Sequence, residues 1–179
     1  MATENFNLAS DQRAERKLLI TVAEWQEPQA GTSISQTVRE ILGKRTEDSR
    51  IEFNPDIATT TDILGNNYTD MNKTQPQQSF DPFLILGGGK LAAKLHDIML
   101  RNAVSELNQF TIYIICAYIG DSTNGYKAQK QTGCTITYDS LGGDVNVNFP
   151  ITVYFSNKST SGTVNKLGDD FVFTPDVSI

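Results

Sequence analysis

The sequence lacks any long hydrophobic run. A helix that spans a bilayer needs about 20 consecutive apolar residues, and no stretch of the 179 residues provides them. The first ten residues contain no basic segment followed by an apolar one. We therefore expect neither a membrane-spanning helix nor a secretory signal, and no membrane among the binding partners.

Cysteine and histidine are scarce, since the chain has two cysteines, Cys116 and Cys134, and one histidine, His96. Both cysteines stand in apolar strand-like runs, which favours buried free thiols in a reducing compartment. A disulfide between neighbouring strands stays open as an alternative. His96 is expected on a helix flank, without the surrounding ligands that a zinc site needs. Buried thiols are poor nucleophiles, so a Cys–His pair is not expected to act in catalysis.

Positive charge is also limited: 15 lysines and arginines face 21 aspartates and glutamates, for a formal net charge of -6. Proteins that grip nucleic acid or anionic lipid need clustered Lys and Arg, so the balance argues against both. The carboxylates are scattered, and nothing marks two of them as a catalytic pair. Residues 83–90 superficially resemble a strand and phosphate loop, but the spacing of a nucleotide-binding loop is absent. We expect no catalytic residue, no cofactor and no metal site.

The most informative segment is 83–119, whose pattern indicates strand, glycine loop, helix and strand. Residues 110–119 are apolar on both faces, which is typical of a central strand that is covered on both sides. We expect the helix to pack on one face of this strand and another part of the chain on the other. The helix should present one apolar stripe to the core, made of Leu91, Leu95, Ile98, Met99 and Leu107.

Nearly all of the remaining ordered chain is predicted to be β. Residues 34–42 favour a strand slightly over a short helix, and 120–133 and 157–168 are predicted to be polar loops. In 145–155 the alternation is the clearest in the chain, with Val145 and Val147 expected on the same face as Phe149. The other predicted strands are 17–25, 50–53, 134–138 and 171–173.

A polar segment at 54–82 is too long to be an idle connection in a compact domain. It can form a long loop or an extended hairpin arm, but it has no apolar face to bury against its own core. We therefore expect it to find partners on another chain. Residues 1–16 are predicted to be a flexible N-terminal arm, and 17–179 a single domain. The candidate contact residues of the segment are Asn54, Asp56, Asp62, Tyr68, Asn72, Lys73, Gln75, Phe80 and Asp81.

Three stretches resemble the tail tube (major tail) proteins of tailed bacteriophages: ILGKRTEDSRIEFNPD at 41–56, TDILG at 61–65 and NKTQPQQSFDPF at 72–83. The predicted order of strands, long polar loop, helix and further strands is also similar to that family. The resemblance implies a mainly β fold, a sandwich or barrel of two antiparallel sheets with one flanking α-helix. It further implies hexameric rings that stack into a hollow tube, through which DNA leaves the capsid.

In that setting the partners would be copies of the chain itself and the tail terminator, tape measure and baseplate or distal tail proteins. The protein would belong to the virion, in the phage tail, after assembly in the host cytoplasm. Genomic DNA would pass through the lumen without tight binding, so the lumen or its rim should carry acidic groups. The candidates are Glu52, Asp56 and Asp62. A monomeric β-sandwich binding module, carbohydrate-binding or capsid-associated, is the alternative.

Overall fold

A computed structural model describes residues 6–29, 33–46 and 48–176. Over those ranges the chain forms one α-helix, two short 3-10 helices at Arg16–Leu18 and Val104–Asn108, and eleven strands. The helix α1 is Lys90–Arg101. The strands in chain order are β1 (Leu19–Pro28), β2 (Ser35–Ile41), β3 (Ile51–Glu52), β4 (Pro55–Thr61), β5 (Asn67–Thr74), β6 (Gln77–Phe80), β7 (Phe110–Asp121), β8 (Gly125–Tyr138), β9 (Ile151–Tyr154), β10 (Ser159–Val164) and β11 (Phe173–Pro175).

The body of the molecule consists of two antiparallel sheets that share the long strand β8. The first part of β8 lies between β7 and β10, and the larger sheet has the order β2-β1-β7-β8-β10-β11. Its last residues, Thr135 to Tyr138, pair instead with β9, which continues through β6 to β3 in the smaller sheet. The predicted mainly β architecture with one helix is therefore confirmed.

Strand β7 is the central strand of the larger sheet and is covered on both faces, as predicted. Ile112 belongs to the main core, to which α1 contributes Leu91, Leu95 and Ile98. Tyr113 points to the opposite face of β7 and joins a second, smaller core. That core also contains Val22, Ile115, Ala128, Val164 and Phe171. The part of the chain that covers the far face is thus the C-terminal segment around Phe171.

The helix is shorter than its apolar stripe. It ends where Asn102 adopts a left-handed conformation with φ 52°, and the N–H of Ala103 donates to the carbonyl of Ile98 at 3.0 Å. Leu107, predicted to lie on the same helix, is buried from a separate 3-10 helix. A stripe at helical spacing cannot distinguish one long helix from a helix followed by a 3-10 helix, because Leu107 is buried in the core after the left-handed residue as well.

Two segments predicted to be loops are strands. Residues 120–133 contain a tight turn followed by most of β8, and 157–168 contain β10. Asp121 shapes the turn by accepting the N–H groups of Thr123 at 2.7 Å and Asn124 at 2.8 Å. Gly120 has φ +95°, and a Cβ there would lie 2.1 Å from the carbonyl oxygen of Gly125. These polar strands are stabilised by neighbours on both sides, a long-range effect that local hydrophobic alternation does not show.

The strand predicted at 145–155 is mostly irregular. Only β9 forms a regular strand, and Asn148 makes isolated bridges to Leu84 and Gly142. Val145 is 90% exposed and Val147 52% exposed. Phe149, predicted on the same face, is fully buried. Gly143, with φ +143° and no room for a Cβ beside the carbonyl of Asn146, turns the chain before the strand begins. The alternation therefore extends beyond the paired residues.

The described part of the N-terminal segment lies against the end of β7. Asn7 donates from its backbone N–H to the carbonyl of Tyr118 at 2.8 Å and from its side chain to Gly120 at 3.0 Å. The ring of Phe6 lies 6.0 Å from that of Tyr118. Residues 1–5 fall outside the described residues, so only the last part of the predicted 1–16 arm is placed.

Candidate assembly surface

Residues 55–74 form a two-stranded hairpin, which we call the arm, and it pairs with no other strand of the described ranges. Strands β4 and β5 are antiparallel, with Thr59 opposite Thr69 and a register shift between Asp56 and Ile57. Nearly every residue of both strands is exposed. At about 3.3 Å per residue, the seven residues of β4 extend over about 20 Å. The chain thus holds an ordered projection that buries almost none of its own surface.

The end of the arm, residues 62–66, is a turn organised around Asp62 and is called the tip. The carboxylate of Asp62 accepts the backbone N–H groups of Leu64 at 2.8 Å and Asn66 at 2.9 Å, the Asn66 side-chain amide and the hydroxyl of Tyr68. The hydrogen bond from the Asn66 side chain is the main reason that the pKa of Asp62 lies below its usual value. Asp62 therefore orders the tip.

The tip presents two large apolar side chains to solvent. Ile63 is 102% exposed and Leu64 is 81% exposed. Further along the arm, Ile57 and Met71 face each other across the strands and are both more than half exposed. Large apolar side chains exposed together on an ordered element are typical of a contact site with another protein.

A groove lies at the base of the arm, with a volume of about 500 Å³. Its floor is the face of the larger sheet that carries Ile114, Cys116 and Gln131, and Phe53 and Pro76 stand on the side from which the arm projects. We call it the root groove. Its full lining is Arg16, Leu19, Asp48, Ser49, Arg50, Ile51, Phe53, Pro76, Ile114, Cys116, Tyr118, Gln129, Gln131 and Phe155.

The predicted contact residues divide into two groups. Six of them lie in the arm or at its start and are exposed or partly exposed: Asn54, Asp56, Asp62, Tyr68, Asn72 and Lys73. Gln75 follows the arm, and its N–H donates to the carbonyl of Phe53 at 3.1 Å. The prediction for Phe80 is wrong, because it is 1% exposed in the main core on β6, which pairs with β9. Asp81 is exposed but belongs to the body, where it accepts the side-chain amide of Asn148 at 3.0 Å.

The three predicted lumen carboxylates do not form one acidic patch. Glu52 lies on β3 in the body, Asp56 near the base of the arm and Asp62 at its tip. The length of β4 separates the last two by about 20 Å. Asp56 accepts a long hydrogen bond of 3.4 Å from Asn72, and Asp62 is engaged in the tip turn, so the acidic-rim hypothesis stays a prediction for an assembly.

Sequence reasoning missed the exposed apolar residues that now define the surface: Phe53, Ile57, Ile63, Leu64 and Met71. A usable signal was present, because Ile63 and Leu64 stand between Asp62 and Gly65 in a turn sequence. Apolar residues in a polar turn have no core to enter, which indicates contact with another surface. Phe53 is 63% exposed and lines the root groove.

A buried polar cluster on the other side of the larger sheet is structural in character. Arg39 donates to the carboxylate of Glu24 at 2.6 Å and to the carbonyl of Phe171 at 2.6 Å, and its guanidinium lies 4.4 Å from the Phe171 ring centre. The hydroxyl of Tyr113 donates to Glu24 at 3.2 Å. Burial, with the Glu24 charge second, raises the pKa of Tyr113 to about 12. These contacts hold the C-terminal segment at Phe171 against the sheet, and the charged groups of Arg39 and Glu24 are engaged with each other.

The two cysteines are free thiols. Cys134 is buried, as predicted, and burial raises the pKa of its thiol. Cys116 is only half-buried, contrary to the prediction, because its face of β7 lies in the root groove. His96 is half-buried on the helix flank. Among the described residues no group of three or more His, Cys, Asp or Glu could hold a metal ion.

No helix in the described ranges combines the length and apolarity needed to cross a membrane. Comparison with known proteins adds no identification: no family model matches the chain, and no curated protein matches it. The surface is therefore interpreted from its own geometry, which combines a projecting arm, an apolar tip and a root groove.

Proposed function

We propose that this chain is a structural protein that assembles with copies of itself, as stacked rings that form a hollow tube of the kind found in phage tails. The observation that carries the proposal is the ordered arm, which pairs with none of the body strands described by the structure and presents Ile63 and Leu64 almost completely to solvent. An apolar projection of this kind gains free energy only when a partner covers it, at about 25 cal/mol per Å² of apolar surface buried.

The edges of the sheets support a homo-oligomer. Among the strands that the structure describes, β2 pairs only with β1 at one margin of the larger sheet, and β3 only with β6 at the margin of the smaller one. Unpaired strand edges are templates for pairing with another chain. When such contacts repeat head to tail, a rotation that closes gives a ring, and one that does not gives a filament.

The resemblance to tail tube proteins supports the tube over other assemblies, and so does the charge. A conduit for DNA must not hold a polyanion tightly, and the net charge of -6 suits that need. The tail terminator, tape measure and distal tail proteins would then contact the two ends of the tube, and the assembly would reside in the virion. The arm by itself supports self-assembly but does not favour a tube over other kinds of assembly.

The direct test is negative-stain electron microscopy of the concentrated protein, with sedimentation velocity over a range of concentrations. The proposal expects rings or tubes with a central channel and a sedimentation coefficient that rises with concentration. A monodisperse monomer at high concentration, still monomeric after long incubation with tail-initiating proteins, would contradict it and favour the monomeric binding module. Open sheets or solid fibres would support self-assembly but contradict the tube.

A further inference from the structure

The root groove is a built apolar site beside the arm. Leu19 and Ile114 lie on its floor, and Phe155 and the ring of Phe53 are among its other apolar members. Phe53 is 63% exposed, so a large apolar side chain of the groove lining is accessible to solvent. The groove is therefore apolar enough to receive side chains and open enough to admit them.

One residue that lines the groove, Gln131, carries an unsatisfied polar atom. Gln131 is 5% exposed, and its Oε1 is buried without a hydrogen-bond partner, while its Nε2 donates to Gln129 at 3.0 Å. Buried acceptors without a partner are rare, because each costs the desolvation of the group. An N–H donor that reached this oxygen would remove that cost. The tip has one such donor, since the N–H of Ile63 is the one backbone N–H of residues 62–66 with no partner in the turn.

The tip cannot fill the groove of its own molecule. Phe53 and Gln75 flank the start and end of the arm, and the groove lies at this base. The tip is about 20 Å away along an ordered two-stranded ladder. Each copy therefore presents an apolar tip and an apolar groove at opposite ends of the same hairpin, which is the arrangement of a head-to-tail contact.

We propose that Ile63 and Leu64 at the tip of one copy enter the root groove of a second copy. The inference rests on the proposed function and specifies which surfaces meet. Charge supports this choice of occupant. The arm, residues 55–74, contains Asp56, Asp62 and Asp70 against the single Lys73, while the groove lining contains Arg16 and Arg50 against Asp48. An acidic arm thus meets a groove with an excess of one positive charge.

Cys116 provides a native probe inside the groove, because it is a half-buried free thiol among the lining residues. The Leu64→Cys variant places a second thiol at the tip. Under mild oxidation of the assembled protein, we expect a disulfide between the introduced thiol at position 64 and Cys116 of another copy, located by peptide mass spectrometry. Mixing Leu64→Cys/Cys116→Ser with the wild type should give cross-linked dimers that contain one of each chain.

Leu100→Cys is the matched control, since Leu100 is 70% exposed on α1 and does not line the groove. It should give no cross-link to Cys116. Buried Cys134 should stay reduced in every sample. A second variant, Ile63→Ser/Leu64→Ser, should shift the concentration at which assembly begins upward by tenfold or more, with an unchanged circular dichroism spectrum.

The outcomes separate this inference from the proposed function. Rings or tubes without the 64–116 cross-link, or with equal cross-linking from position 100, overturn the tip-to-groove contact and leave self-assembly standing. A wild type that stays monomeric and forms no cross-link overturns both. Assembly that the Ile63→Ser/Leu64→Ser variant does not weaken also overturns the contact, because it shows that the apolar tip is not buried.

Discussion

Asp62 is the residue on which the shape of the tip depends. It accepts hydrogen bonds from two backbone N–H groups of the turn and from the side chains of Asn66 and Tyr68. All of these bonds lie within the arm, so they order the tip without contributing to the body. Local turn order of this kind lowers the entropy that a loop must lose when it binds.

We therefore expect Asp62→Ala to loosen the tip and leave the body intact. Amide exchange of residues 62–66 should become faster, because the capped N–H groups lose their acceptor. The unfolding midpoint of the body should not change, and assembly should begin at a higher concentration. Asp70→Ala, which removes an exposed carboxylate from the same arm but no turn contact, is the control. Unchanged exchange in 62–66 would show that the turn does not need this carboxylate.

Arg39 has the opposite role, since its contacts connect separate parts of the body. We expect Arg39→Met to lower the free energy of unfolding by about 3 kcal/mol, because Glu24 is left as a mostly buried carboxylate without a counter-charge and the carbonyl of Phe171 loses a donor. Urea denaturation at low protein concentration measures it. In the Glu24→Leu/Arg39→Met double variant, most of the loss should be recovered, because no buried charge remains. A double variant as unstable as the single one would contradict this account.

Glu106 makes the stability of the helix end depend on pH. Its carboxylate is 2.9 Å from Arg101 and 2.7 Å from Lys94, and the hydrogen bond from Arg101, followed by that from Lys94, lowers the pKa of Glu106 to about 2. A lowered pKa in the folded state gives stability that is present above the ordinary pKa of 4.5 and is lost as the pH falls toward about 2.

Accordingly, Glu106→Gln should flatten the fall in unfolding free energy between pH 4.5 and about 2, as measured by urea titration of the monomer at several pH values. Above that window the variant should be less stable than the wild type, and the two should converge in acid. Glu52→Gln removes an exposed carboxylate from β3 and controls for the change of charge. If the unfolding free energies of wild type and Glu106→Gln fell in parallel with pH, the ion pairs of Glu106 would be excluded as the cause of the loss of stability in acid.

At the scale of elements, the sequence correctly predicts those helices and strands whose apolar residues follow a local periodic pattern. The apolar stripe of α1 and the two-sided apolarity of 110–119 correctly indicated a helix and a central strand. The arm was also predicted in kind, because 54–82 has turn residues without an apolar face. The predicted segment extended past the end of the arm at residue 74 and included β6. The buried residues of β6, Gln78 and Phe80, pair with β9, more than seventy residues later in the sequence.

Strands β8 and β10 show why the rest could not be predicted. Their residues are largely polar, and each strand is specified by neighbours on both sides and not by its own alternation. Conversely, Val145 and Val147 alternate with polar residues but lie outside the regular strands and are exposed. For the candidate site, the exposed apolar tip and the root groove arise from tertiary geometry, so the predicted polar contacts named the correct arm but not its decisive residues.

The arm is expected to be dispensable for folding of the body. Phe53 and Gln75 are joined by a backbone hydrogen bond of 3.1 Å, and Asn54 already has a left-handed φ of 41°. Replacing 55–74 by a single glycine should therefore close the chain with an Asn-Gly turn. We expect the far-ultraviolet circular dichroism spectrum of the variant to stay that of a folded, mainly β protein. The melting temperature should lie within a few degrees of wild type, and the variant should not assemble. Failure of this variant to fold would show that the arm is part of the core.

At the scale of the whole molecule, the tip and the root groove give each copy a direction. The tip is the surface that enters a neighbouring copy, and the root groove is the surface that accepts the tip of another copy. In a head-to-tail series, every interior copy uses both surfaces and the last copies leave one unused. A copy that has lost one surface can still join the series but cannot extend it. The length of the assembly should then respond to a small fraction of defective copies.

The armless variant tests this polarity, because it keeps the root groove and lacks the tip. A substoichiometric amount added to wild-type protein before assembly should shorten the tubes or filaments in electron micrographs, since each incorporated copy accepts a tip and offers none. The armless Phe53→Glu variant is the matched control: a carboxylate at the groove wall should prevent insertion of an apolar tip and restore the wild-type length. Equal lengths with and without armless copies would mean that tip and groove do not transmit growth from copy to copy, even in a protein that assembles.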